Sequence, residues 1–161
     1  MKAFIISIPG EPKGKGRPRY TRNGHAYTPS DTAAYEQVVR LTFKGKYPQA
    51  IPFEKDVPLK VDIFAWFKIP KSVSKVKREL MQQGYIKPTK KPDTDNIVKI
   101  VLDALNGYAY YDDAQVVELT IRKGYAHYDE PCVDVRSRRW ESNGVHRFFE
   151  VKDGNKRGKR I

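Results

Sequence analysis

Residues 91–113 read KPDTDNIVKIVLDALNGYAYYDD, and the chain is organised around them. Ile97, Ile100, Val101, Ala104 and Leu105 recur at the spacing of one apolar face of an α-helix. Asp95 is expected as the N-cap, because its carboxylate can accept from the free N–H groups of the first turn. Gly107, after Asn106, is a natural stop because glycine tolerates the left-handed conformation beyond a helix end. On a helical wheel Lys99 and Asp103 lie opposite the Ile97/Ile100/Val101 stripe. Lys99 therefore points away from the core, on the side where Asp95 enters the helix. The N-terminus itself attracts anions through its free N–H groups and dipole.

Two acidic pairs flank this helix, Asp93 with Asp95 and Asp112 with Asp113. If the chain folds back after the helix, they converge. Hard divalent cations take carboxylate oxygens, and such ions can activate a water and stabilise a leaving oxygen. Carboxylates, a cation and a phosphate-attracting helix end are what a metal-dependent enzyme acting on phosphodiesters needs. The same residues also suit plain turn-and-cap chemistry: PDTDN before an apolar run, and an Asp-Asp turn. Alone, D-x-D-N-x-x-K is more often structural; the second acidic pair raises the weight of the catalytic reading.

Composition bounds the partner. The chain has 161 residues and a formal net charge of +12. That length fits one domain with a real core. The charge points to a polyanion, foremost nucleic acid; no long basic amphipathic helix supports a membrane surface. Cys132 is the one cysteine, so no intrachain disulfide forms, which suits a reducing cytoplasm. His25, His127 and His146 are scattered without metal-ligand spacing. No apolar run reaches membrane-spanning length, and FIISI near the start is too short for a signal-peptide core.

Around the central block the elements follow in order. KAFIISI, residues 2–8, reads as a strand ended by Pro9. A glycine-rich loop then carries Lys13, Lys15, Arg17, Arg19 and Arg22. It is not a Walker A loop, since the spacing is too short and Gly16 stands where Ser or Thr should bind magnesium. A flexible cationic loop can still follow a phosphate backbone, and Tyr20 and Tyr27 can stack on unpaired bases. Thr28-Pro29-Ser30-Asp31 starts a helix expected to reach about Phe43 and to bury Ala34, Tyr35, Val38, Leu41 and Thr42. LKVDIFAWFK, residues 59–68, is a strand whose second face also turns apolar at Phe64 and Trp66, so both faces are expected to be covered and Trp66 to sit in the core. Residues 74–83 form a short basic helix with Ser74 as N-cap and Gly84 as stop. YIKPTKKPD runs extended into the central block, bringing Lys87, Lys90 and Lys91 beside Asp93. QVVELTIRKGY is a strand, with Glu118 either an outer carboxylate or a solvent-facing residue. CVDVR is the last.

The order β-α-β-α-α-β-β gives one α/β (α+β) domain, a small mixed sheet packed with helices, over residues 1–140. A basic extension over 141–161 follows, its last ten residues expected to be a disordered cationic tail.

KPDTDNIVKIVLDALNGYAYYDDAQVVEL resembles the core of the RusA family of Holliday junction resolvases. The shared pattern is D-x-D-N-x-x-K, then D-A-L, then D-D-x-Q-V, and the basic GKGRPR segment is similar to one that such proteins often carry. The resemblance implies a RusA-like homodimer that resolves four-way DNA junctions by paired symmetric nicks in recombination and repair, often prophage-borne, with Mg2+ or Mn2+ as cofactor. It implies Asp93, Asp95 and Asp113 as catalytic metal ligands and Lys99 as the essential lysine. DNA contacts are expected at Lys13, Lys15, Arg17, Arg19, Lys90 and Lys91. Two rivals stand beside this: a non-catalytic DNA-binding protein whose aspartates only cap and turn, and a nuclease for flaps or forks.

Overall fold

The computed structural model describes residues 2–142, so the expected cationic tail lies outside the described residues. Its strands are β1 (Ala3–Pro9), β2 (Arg19–Tyr20), β3 (Ala26–Tyr27), β4 (Leu59–Phe67), β5 (Val116–Tyr125) and β6 (Cys132–Arg139). Its helices are α1 (Ser30–Lys46), α2 (Lys75–Gln82) and α3 (Thr94–Leu105), with a single 3-10 turn at Asp113–Gln115. The expected element order holds; the two-residue strands β2 and β3 add a small hairpin inside the basic loop.

The main sheet runs β1-β6-β4-β5 and is mixed. β4 pairs parallel with β5, while β6 is antiparallel to both β1 and β4. A parallel neighbour needs a long crossover, and α2 and α3 lie within the one that joins β4 to β5. β4 alternates buried and half-buried residues along its length. Leu59, Val61, Ile63, Ala65 and Phe67 face the core beside Ile6 and Ile8 of β1 and Val133 and Val135 of β6. On this face α3 contributes Ile97, Ile100, Val101, Ala104 and Leu105, as the spacing requires, and α1 contributes Tyr35, Val39 and Phe43. Phe4 meets Phe43, Tyr47 and Phe53 edge-on at ring separations of 5.1–5.3 Å. Tyr47 also blunts the β1 edge: its hydroxyl accepts from the Ile5 N–H at 3.0 Å and donates to the Ile5 carbonyl at 3.2 Å.

Three expectations need correction. The buried stripe of α1 is Thr32, Tyr35, Glu36, Val39 and Phe43, rotated from the expected one; Ala34, Val38 and Leu41 are exposed. The cause is Glu36, a charged residue inside the stripe, which is buried because two cations reach it. Trp66 is half-buried and lies on the sheet face opposite the core. There it stacks on Phe64 with ring centroids 6.2 Å apart and donates Nε1–H to Asp134 at 2.8 Å. A Cβ on neighbouring Gly124 would stand 2.6 Å from the indole, so the ring needs glycine at that position. Asp95 is not the cap of α3: Asp93 holds that place in extended conformation and Asp95 sits in the first turn. By contrast, Ser74 caps α2 by accepting from the Lys77 N–H, as expected.

Candidate active site

Helix α3 carries the expected site along its polar face. Asp93, Asp95 and Lys99 are all exposed at its N-terminal end. The Asp93 carbonyl accepts the first helical bond from the Ile97 N–H at 3.1 Å, yet its carboxylate makes no capping bond. That carboxylate therefore stays open to solvent at the positive end of the helix. Asp95, Lys99 and Asp103 follow at four-residue intervals and share one side of the helix.

The second acidic pair folds back to Asp103 of α3; among the described residues it does not gather with Asp93 and Asp95 into one carboxylate cluster, as convergence of the two pairs would require. After α3 the Gly107 N–H bonds the Tyr110 carbonyl at 2.8 Å, and the buried Tyr110 hydroxyl donates to the Leu102 carbonyl at 3.0 Å. Gln115 locks the turn: its Oε1 accepts from the N–H groups of Tyr111 and Asp112, and its Nε2 donates to the carbonyls of Glu54 and Val57. Asp112 caps the 3-10 turn by accepting from the Ala114 N–H at 2.8 Å. Asp113 is left half-buried, facing other carboxylates. Burial raises its pKa above the ordinary aspartate range, and the negative charges of Asp112 and Asp103 add to the effect. Burial likewise pushes the Tyr110 phenol well up, with Asp113 and Asp103 adding to the shift.

Asp103 is the site residue that sequence reading passed over. It stands on the Lys99 face of α3 and is the charged neighbour through which Asp113 meets the helix. The signal was present, since Asp103 lies one turn beyond Lys99 and two beyond Asp95. Glu118, the other carboxylate considered, faces elsewhere: it pairs with Lys60 and accepts from Trp140 Nε1 at 3.0 Å.

The basic loop is tied to the helices at its stem. Its stem threads between α1 and α3: the Lys15 N–H donates to the Asn96 carbonyl at 2.9 Å, and the Gly16 N–H to Thr32 Oγ1 at 3.0 Å. The approach demands glycine, because a Cβ at Gly14 would stand 2.8 Å from Pro92 Cβ. Lys15 points inward, bonding Glu36 and reaching Asp103 Oδ2 at 2.9 Å, while Glu36 also holds Arg40 at 3.2 Å. Burial works against the charge of Lys15, but these two carboxylates outweigh it and raise its pKa. Lys13, Arg17, Arg19, Lys90 and Lys91 are exposed. A cleft of about 500 Å3 separates the loop stem from the 90–93 segment, lined by Lys13, Lys90, Lys91, Asp93 and Asn96. The cationic walls and the α3 N-terminus thus meet at Asp93.

Residues 9–136 match the family model described as Endodeoxyribonuclease RusA. The chain belongs to that family. It is also 40% identical over 143 residues to the protein YqaN of Bacillus subtilis (strain 168), described as uncharacterized, across 86% of this chain and 97% of the relative. RusA family membership identifies the general chemistry as endonucleolytic cleavage of DNA, and the matched stretch includes the basic loop, Lys90, Lys91 and all the carboxylates of α3 and the turn after it. Among the described residues no helix is long and apolar enough to cross a membrane.

The donor chemistry of the candidate site suits a hard divalent cation, since every candidate ligand is a carboxylate. The like charges of Asp103, Asp112 and Asp113, held near one another, are the kind of repulsion that such a cation relieves. Among the described residues, however, no three His, Cys, Asp or Glu side chains are already gathered as a metal cage. The structure brings Asp113 to Asp103, and places Asp93 and Asp95 up the same helix at its N-terminus.

Proposed function

We propose that this RusA-family protein is a divalent-metal-dependent, structure-selective endodeoxyribonuclease that resolves four-way DNA junctions by paired symmetric nicks. The observation that carries the reading is the end of α3: two exposed carboxylates, neither used for capping, at a helix N-terminus that forms one wall of a cationic cleft. Asp93, Asp95 and Asp113 would hold Mg2+ or Mn2+. When bound, the metal supplies an acidified water and neutralises charge at the scissile phosphate. Lys99, exposed on the same helical face, would bind that phosphate or the departing oxygen. Lys13, Arg17, Arg19, Lys90 and Lys91 would grip the backbone on either side. Lys15 has a different part, since its ammonium already has two carboxylate partners: it anchors the loop that presents its neighbours.

A homodimer fits this reading, because a two-fold substrate cut in opposing strands suits a two-fold enzyme with two sites. The assay is cleavage of a labelled four-way junction with Mg2+, beside a matched linear duplex and a flap. Paired nicks confined to the junction support resolution. Best cleavage of the flap keeps the nuclease and removes the junction assignment. Tight junction binding without cleavage, with either Mg2+ or Mn2+, favours a DNA-binding protein whose aspartates only shape the helix end.

A further inference from the structure

Lys123 is neither a candidate ligand nor a candidate DNA contact, yet it is bound to the turn that delivers Asp93. It sits on β5 with Ala65 of β4 as its partner across the sheet, half-buried near the end of the core face. Its Nζ donates to the carbonyls of Lys90 at 2.5 Å and Pro92 at 3.0 Å. It also lies 5.1 Å from the ring centroid of buried Phe67, beside Lys90 Nζ at 5.3 Å from the same ring. The Pro92 carbonyl belongs to the peptide that joins Pro92 to Asp93. On its other side, Asp93 is held by its own carbonyl, which accepts the helical bond from the Ile97 N–H. The direction in which the Asp93 carboxylate leaves the backbone is therefore set by Lys123 on one side and by α3 on the other.

We propose that Lys123 is a positioning residue for metal binding, acting through the Pro92–Asp93 peptide rather than by touching DNA or metal. The inference rests on the reading of Asp93 as a metal ligand. It makes a prediction opposite in sign to a plain electrostatic role. Removing a cation near a metal site favours the incoming metal, whereas loosening a group that orients a ligand weakens it, on the order of tenfold or more. Lys90 supplies the contrast, because it carries a like charge over the same ring but is not among the donors to these carbonyls.

The test is a Mn2+ titration of the full chain without DNA, followed by paramagnetic broadening of the amide resonances of residues 93–96. Lys123→Met is expected to weaken binding by about tenfold, Lys123→Arg to restore most of it, and Lys90→Met to leave it unchanged or tighter. Lys123→Gln, a milder neutral replacement, serves if the methionine variant does not fold. Thermal midpoints of the variants, compared with the parent, separate loss of fold from loss of metal. Binding by Lys123→Met or Lys123→Gln as tight as that of the parent, or equal weakening by Lys90→Met, overturns the inference while leaving the Asp93 assignment in place. If Asp93→Asn itself binds Mn2+ as the parent does, the ligand assignment falls and the inference falls with it.

Discussion

The two cationic walls of the cleft are built alike in sequence and differently in space. On the loop side, Lys15 turns inward to Glu36 and Asp103, and that ion-paired stem carries exposed Lys13, Arg17 and Arg19. On the other side Lys90 and Lys91 are exposed, and the anchoring cation, Lys123, comes from a distant strand and binds carbonyls rather than carboxylates. Each wall thus has one lysine that anchors it and others that face outward. A net charge of +12 does not divide itself into those two kinds; only the partner of each ammonium does. Cations that face solvent are free for phosphates, and cations already paired serve the fold.

The largest effect should come from the carboxylates at the N-terminal end of α3, beside the cleft. Asp95→Asn is expected to slow junction cleavage by about 10²–10³-fold, the scale for losing one group that stabilises transition-state charge. Junction affinity measured without metal should stay the same or rise, since a negative charge facing phosphates is removed. Cleavage at the parent rate would show that the walls converge on something other than a catalytic centre.

A smaller effect tests the division between the walls directly. Lys15→Met leaves Glu36 and Asp103 without their shared cation, with Arg40 remaining to Glu36. About 1–2 kcal/mol of stability should be lost, the cost of a partly solvated unpaired charge. Lys91→Met, on an exposed side chain, should change stability by less than about 0.5 kcal/mol. Urea denaturation of both variants reads the difference. Equal stability would mean that the loop stem is not held by its lysine.

How much of this was legible beforehand follows from the kind of interaction involved. The α3 stripe and the alternation of β4 are periodic, and periodicity survives in sequence, so the core faces of both came out as expected. Folding-back of Asp112 and Asp113 was legible only as a condition, because it depends on Gln115 reaching the carbonyls of Glu54 and Val57 across the chain. The α1 stripe failed for a related reason: apolar content alone put Val38 and Leu41 inside, whereas a remote lysine and a local arginine make Glu36 a core residue. The roles of Lys15 and Lys123 are of this long-range kind too. Asp103 was different, since helix periodicity already placed it with Lys99.

Salt dependence reads the same division of the cations in binding rather than in stability. Removing one cation that neutralises a phosphate should flatten the log–log salt slope of duplex binding by about 0.9. Lys91→Ala and Lys13→Ala are each expected to do so, while Lys15→Met is not, beyond any loss of folded protein. Fluorescence anisotropy across a range of salt concentrations measures the slope. An equal flattening for Lys15→Met would return that residue to the DNA-facing set.

The smallest effect concerns Asp113, at the far end of the same face. Its pKa is raised in the folded chain by burial and by the charges of Asp112 and Asp103. A carboxyl whose folded pKa lies above its unfolded value favours the fold when protonated. That contribution is fully present below the ordinary aspartate pKa and is lost as pH rises through the raised one. At neutral pH, ionised Asp113 therefore works against stability, and Asp113→Asn should raise the thermal midpoint by about 1–3 °C. The gain should shrink as the pH is lowered through the raised pKa and vanish below the ordinary aspartate range, where the parent residue is neutral as well. Such a variant would fold better and cut worse, which is the combination expected of a charge kept for a cation rather than for the fold. A variant destabilised at neutral pH would instead make Asp113 part of the turn that Gln115 locks, and would shift the weight of the second acidic pair toward structure.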